Sequence, residues 1–211
     1  MQIGVDSFGA VISDPATGLN VSALQRMDNL LEEIVLADQV GLDVFGIGEH
    51  HRSEFVDSAP VVILSAAATR TKNIRLTSAV TVLSASDPVR IFQEFATLDL
   101  ISHGRAEIVA GRGSSIEAFP LFSVSILRTM VHSSQKSWTF SSRFARTPMF
   151  TGRAGTALLS QDRPSIPVHF RIPCPFGLKS AALPESFVRA GTLGLPLMVA
   201  IIGGEPKRFR P

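Results

Sequence analysis

Over the first 122 residues the apolar positions switch repeatedly between two rhythms. Short continuous apolar runs alternate with longer stretches in which apolar residues recur every three or four positions, the pattern of an α/β fold. Ile3–Phe8 predicts a short buried strand. Met27–Val40 predicts a helix with Leu30, Leu31, Ile34 and Val35 on one period, and Gly41 stands where a C-cap glycine belongs. Val44–Gly48 predicts a second strand. Ser58 and then Pro60 open a second helix running to about Thr69. Arg75–Leu83, rich in β-branched residues, predicts a third strand. Asp87-Pro88 starts another helix, which reaches about Leu100 and ends at Ser102-His103-Gly104. Ala106–Ala110 predicts a fourth strand, leading into Gly111-Arg112-Gly113-Ser114.

Strands joined by helices need right-handed crossovers, and the pattern leaves a doubly wound sheet and a barrel both open. In either, ligands sit at the C-terminal ends of the strands. Polar residues fall at those ends: Glu49, His50 and His51, then Ser84 and Ser86, then Arg112 and Ser114. From Ser123 to about Leu183 the rhythm collapses into Ser, Arg, Pro and Thr, and no helical or alternating period is legible. Order returns with a short helix at Pro184–Gly191 and a buried strand at Leu197–Ile202.

Composition changes this picture in one place. The chain has 211 residues and is 45% hydrophobic, enough for one packed domain and hardly for two. No apolar run approaches the roughly 20 residues a membrane helix needs, and no secretory leader is legible. The single cysteine, Cys174, permits neither an internal disulfide nor a cysteine zinc site. A soluble cytoplasmic protein is the expectation. The isoelectric point near 9.1 would suggest an anionic partner. However, residues 123–183 hold eight of the bases and one acid, Asp162. Removing them from the chain's 20 bases and 18 acids leaves 12 and 17, so the remainder is acidic. The basic character belongs to one block, and a nucleic-acid partner is not expected.

Four stretches resemble the luciferase-like flavin monooxygenases, which include bacterial luciferase and FMN- or deazaflavin-dependent relatives. They are GIGEHHRSEF (46–55), SASDPVRIFQEFATLDLISHGRAEIVAGRGS (84–114), EAFPLF (117–122) and PESFVRAGTLGLPLMVAIIGGEPKRFRP (184–211). The second is long and specific. The resemblance implies an incomplete (β/α)8 TIM barrel: βα units of its N-terminal half in residues 1–122, and a helix and strand of the same barrel in 184–211. It also implies a flavin across the barrel mouth (FMN or a deazaflavin), a small-molecule substrate and a homodimer.

By the same resemblance, His50 matches the active-site histidine after strand two, where imidazole suits a general base or a hydrogen-bond partner at the flavin. Arg112 and Gly113 match a loop that meets the flavin phosphate, which a guanidinium and backbone N–H groups suit. Ala79 and Val80 match the strand-three edge that supports the flavin ring through backbone. Ser186 matches a helix N-terminus that holds the phosphate. There the chain departs from the family pattern, having Ala181-Ala182-Leu183 where glycines and a threonine are usual. An alternative from the residues alone is a metal-dependent barrel hydrolase using Glu49, His50 and His51. Adjacent histidines on a strand face opposite ways, which leaves only one to meet a metal.

Residues 123–183 read as a shifted coding frame. Codons for Ser, Phe, Trp and Cys often or always begin with T, and a central T encodes apolar residues, so a Ser/Phe-rich run can conceal an apolar helix. Ser137–Arg146 can be written AGT TGG ACC TTC TCC TCG CGC TTC GCG AGA. From its third base this gives Leu-Asp-Leu-Leu-Leu-Ala-Leu-Arg-Glu, an amphipathic start with acids restored. The same shift supplies tyrosine, which the chain lacks entirely. The expectation is a broken barrel with exposed sheet edges, poorly soluble and inactive as it stands, with a non-enzymatic remnant or a reading error as the competing account.

Overall fold

The computed structural model describes residues 2–13, 16–19, 21–83, 85–111, 176–180, 188, 191–192 and 197–199. Their elements run β1 (Gly4–Ser7), α1 (Ala23–Gln39), β2 (Val44–Ile47), α2 (Pro60–Ala68), β3 (Arg75–Ser78), β4 (Thr81–Val82), α3 (Pro88–Ile101), β5 (Ala106–Gly111), β6 (Phe176–Ser180) and β7 (Leu197–Val199). Every named strand pairing is parallel, in the order β1-β2-β3-β5-β6-β7, with β4 also on β5. A doubly wound sheet reverses its order at a switch point. This sheet follows the chain without reversal, the order of a barrel. The architecture is thus an incomplete (β/α)8 barrel.

Local chemistry explains the element ends. α1 begins earlier than its apolar period suggests, because the Ser22 side chain accepts from the Gln25 N–H and caps it. At its other end Gly41, at φ +82°, lets its own N–H reach the Asp38 carbonyl and the Leu42 N–H reach that of Ala37, a Schellman stop. α2 corrects the expected cap: the N-cap is Ala59, not Ser58, and no side chain caps it. With Pro60 as the first helical residue, the cap must be its immediate neighbour. Asp87 does cap α3, its carboxylate accepting from the Arg90 N–H at 3.1 Å.

The helices cover the outside of the sheet. Leu30, Leu31 and Ile34 of α1, Ile63 and Leu64 of α2, and Ile91, Phe95 and Leu98 of α3 pack against Phe45, Ile47, Leu76 and Ile108 in one core. Each such fully buried side chain contributes roughly 1.5–3 kcal/mol relative to exposure. A smaller cluster of Val80, Val82, Ala85 and Val109 has Met198 of β7 packed against it, so the sheet curls around this inner group. Among the described residues no helix is long and apolar enough to cross a membrane.

Two departures from the sequence pattern stand out. The expected third strand, Arg75–Leu83, is broken into β3 and β4. Furthermore β6 lies within the 123–183 block, where no element is legible; it pairs with β5 on one side and β7 on the other. The open edge of β5 offers an unpaired row of backbone groups, and pairing with it places a strand that periodicity does not announce. The rest of that block lies outside the described residues. Of the helix expected at 184–191, Val188 and Gly191 are helical, as is Thr192 just beyond it.

Candidate active site

The C-terminal end of β2 is built around two glycines. A Cβ on Gly46 would run into Asp6 and lie 3.0 Å from the Ala79 Cβ. One on Gly48 would come within 2.7 Å of Phe8, 2.8 Å of Asp57 Oδ2 and 3.0 Å of His50. Glycine is required at both because three neighbouring strand ends converge on this point.

The loops after β1 and β2 are joined directly. Gly9 turns the chain at φ +59°, and Ala10 then bridges Phe55 antiparallel. The Val56 N–H donates to the Gly9 carbonyl at 3.0 Å, and the Val11 N–H to that of Glu54 at 2.7 Å. This junction sets Phe8 and Phe55 on either side of the His50 ring. Phe8 meets it edge-on at 4.9 Å between centroids, and Phe55 stacks on it at 4.4 Å. The imidazole Nδ1 lies 2.8 Å from Oδ2 of Asp57. Asp57 is completely buried, and its Oδ1 has no hydrogen-bond partner. The His50 side chain retains 21% exposure, enough for one edge to meet a ligand.

Glu49 and His51 form a second pair, with His51 Nε2 3.1 Å from Glu49 Oε1. The other carboxyl oxygen accepts the Val82 N–H at 2.7 Å, tying the end of β2 to β4. Burial pushes the Glu49 carboxyl up to about 7, against the pull of that N–H, and the negative Asp57 adds to the rise. Burial also lowers the pKa of His51, with Asp57 opposing. Both shifts favour uncharged forms, so a protonated Glu49 donating to His51 Nε2 satisfies this geometry.

The break in strand three lies beside this pair. From Thr77 to Thr81 is four positions, opposite three from Glu107 to Ala110 on β5. One extra residue is therefore accommodated here, as in a bulge. The buried Ser78 hydroxyl stands in for the missing ladder groups: its Oγ accepts the Val109 N–H and also lies 3.2 Å from the Val109 carbonyl. Thr81 Oγ1 lies 2.9 Å from it. The Ala79–Val80 peptide bond within the break is cis. The Ala79 N–H donates to Ile47 at 2.7 Å, so the break abuts the end of β2.

Of the residues singled out from the sequence, His50, Ala79 and Val80 are thus gathered on one side of the sheet's C-terminal end, with Glu49 and His51. Ser86 is exposed. Arg112, Gly113, Ser114, Ser186 and Ser84 lie outside the described residues. Sequence reasoning missed Asp57, Phe8 and Phe55. The available signal was an acid set between Phe55-Val56 and the Pro60 helix start, where a solvated loop residue would be the ordinary reading. Glu49, His50 and His51 do not converge on one point, since each histidine has its own carboxylate. Among the described residues no group of three or more His, Cys, Asp or Glu could hold a metal ion.

Comparison with known proteins gives a consistent result. A family model described as luciferase-like monooxygenase matches residues 1–209. An uncharacterized protein of Sinorhizobium fredii, y4wF, is 42% identical over 97 residues, 45% of this chain and 28% of that one. The oxygenase component of the flavin-dependent trigonelline monooxygenase of Acinetobacter baylyi is 32% identical over 91 residues, 43% of this chain and 25% of that one. A similar fold is found in the oxygenating constituent of 3,6-diketocamphane monooxygenase from the CAM plasmid of Pseudomonas putida, solved in complex with FMN. Its TM-score is 0.75 at 19% identity, over 94% of this chain and 57% of that one. The chain therefore spans little more than half of that structure, and its matches take in about a quarter of the two relatives.

Proposed function

The chain belongs to the luciferase-like monooxygenase family, and from that premise we propose that it serves a flavin-dependent oxidation of a small molecule, with His50 as the proton-handling residue. The observation that carries this reading is the position of His50: at the C-terminal end of β2, partly exposed, beside the interrupted third strand. When bound, a flavin supplies the redox chemistry that no amino-acid side chain here can perform.

The residues present fit the ring end of such a group. Gly46 and Gly48 let Asp6, Ala79, Phe8, Asp57 and His50 close up around the end of β2, and Ala79 and Val80 offer backbone where strand three departs from its ladder. Phe8, Phe55 and the inner valines keep the surroundings apolar, which suits a flat aromatic ring and strengthens hydrogen bonding by excluding water. His50 would accept or return a proton at its free ring nitrogen. Arg112, Gly113 and Ser186 are the proposed phosphate contacts. FMN is the first ligand to try, since a solved relative by fold holds FMN, with a deazaflavin as the other arm. A homodimer and a cytoplasmic setting accompany the proposal.

The test is titration of FMN, and separately of a deazaflavin, with the full chain while flavin fluorescence is followed. Saturable quenching is expected, with His50→Gln retaining the binding and abolishing whatever turnover the natural chain supports. Quenching by neither flavin would overturn the reading.

A further inference from the structure

We propose that Asp57 is a positioning residue that fixes His50 in the tautomer protonated at Nδ1, leaving Nε2 as the nitrogen that works on the ligand. The inference rests on the reading of His50 given above but goes beyond it, to the residue that determines which nitrogen is available and why.

The first argument is energetic. A buried carboxylate is costly unless its oxygens are satisfied. Three other acids are supplied accordingly: Asp38 accepts three backbone N–H groups, Asp43 accepts that of Ile3, and Glu107 pairs with Arg75. Asp57, completely buried, has one oxygen on His50 and the other on nothing. It caps no helix and closes no turn. A carboxylate so placed contributes little to folding, and unrepaid cost of this kind gathers at functional sites.

The second argument is geometric. A carboxylate only accepts, so at 2.8 Å the hydrogen lies on Nδ1 and the lone pair on Nε2. Among the described residues no hydrogen bond occupies Nε2. The ring is held against turning its Nδ1 edge away from Asp57, because Phe55 stacks on it and Phe8 meets it edge-on. Orientation and tautomer are thus held by separate means, the phenyl rings for the first and Asp57 for the second. Such an outer partner is what makes an imidazole a directed base rather than a mobile one.

The experiment is a long-range proton–nitrogen correlation spectrum of the full chain labelled with 15N-histidine, at neutral pH. His50→Gln assigns the His50 signals among the five histidines. The natural chain is expected to show His50 protonated at Nδ1. Asp57→Asn is expected to move the proton to Nε2, since an amide can donate to Nδ1. In an active preparation kcat should fall by on the order of 10²- to 10⁴-fold with KM little changed. Nε2 protonation in the natural chain would overturn the proposal, as would an unchanged tautomer in Asp57→Asn. If Asp57→Asn does not fold, the natural chain's tautomer decides alone. The two readings also fail separately: an Nδ1-protonated His50 in a chain that quenches no flavin removes the flavin reading and leaves this one standing.

Discussion

The two ends of this sheet hold their charged side chains in contrasting ways. At the N-terminal ends of the strands, Arg105 donates five hydrogen bonds: to the carbonyls of Ser102, Ile74, Ala68 and Thr71, and to the Thr71 hydroxyl. Beside it Asp38 accepts the N–H groups of Lys72, Asn73 and Ile74. Burial works to raise the Asp38 pKa, but these donors and the positive Arg105 outweigh it and hold the carboxylate low. At the C-terminal ends, Glu49 has one backbone donor and burial carries it up to about 7, while Asp57 has an oxygen with no partner. A carboxylate is a fastening where donors are plentiful, and at Glu49, buried with one backbone donor, a poised acid. In barrels the first arrangement marks the stabilising face and the second the reactive one.

The strongest test of this contrast is Arg105→Ala, which leaves several backbone carbonyls unpaired. Thermal and denaturant unfolding should show a loss of about 3–5 kcal/mol. A loss under 1 kcal/mol would mean that water replaces the guanidinium and that this end is no fastening at all.

Next in size is the pH response of Glu49. Its folded pKa lies above the ordinary 4.5, so its ionised form is disfavoured in the native state. The penalty is absent below about 4.5, grows as pH rises toward 7, and is complete above it; it amounts to on the order of 3 kcal/mol. Glu49→Gln should therefore be the more stable protein at pH 8, with the advantage shrinking toward pH 4.5 as determined by urea midpoints. Asp38 has the opposite sign. Its lowered pKa contributes stability above the ordinary 3.8 that is lost as pH falls through the folded value. An advantage for Glu49→Gln that did not vary with pH would remove the poised acid from the account.

Gly48→Ala sharpens the reactive end. The added methyl group would press on Phe8, Asp57 and His50 together, at a cost of about 1–3 kcal/mol. It should also disturb the His50 nitrogen signals, whereas Arg105→Ala should leave them in place. The smallest effect is expected for Asp38→Ala. Two of its three N–H donors belong to the exposed Lys72 and Asn73 and can turn to water, leaving only that of the buried Ile74 unpaired, so the loss should be about 1 kcal/mol by thermal midpoint.

Much of this architecture was legible in the sequence. The alternation of short apolar runs with helical periods is a property of consecutive residues, and it gave the strands and helices of residues 1–111 to within a few positions. Gly41 and Asp87-Pro88 were readable because caps act on their own neighbours. His50 was readable because residues that follow a strand in an α/β fold fall at its C-terminal end, and by family resemblance.

Other features depended on distances that no local pattern encodes. Asp57 reaches His50 only because Gly9 turns the loop after β1 onto Phe55 and Val56. Arg105 fastens the 68–74 turn from more than thirty residues away because β3 and β5 lie side by side. The interruption at Ala79–Val80 comes from fitting four positions against three on β5, and β6 from the open edge beside that strand. Within residues 1–111 the sequence by itself determined most of the strands, helices and caps, the cap of α2 and the break in strand three excepted, since torsional preference and burial period act over a few residues. Only the tertiary structure decided which carboxylate would be satisfied and which left poised, because that depends on how many donors the packing of distant strands and loops brings within reach.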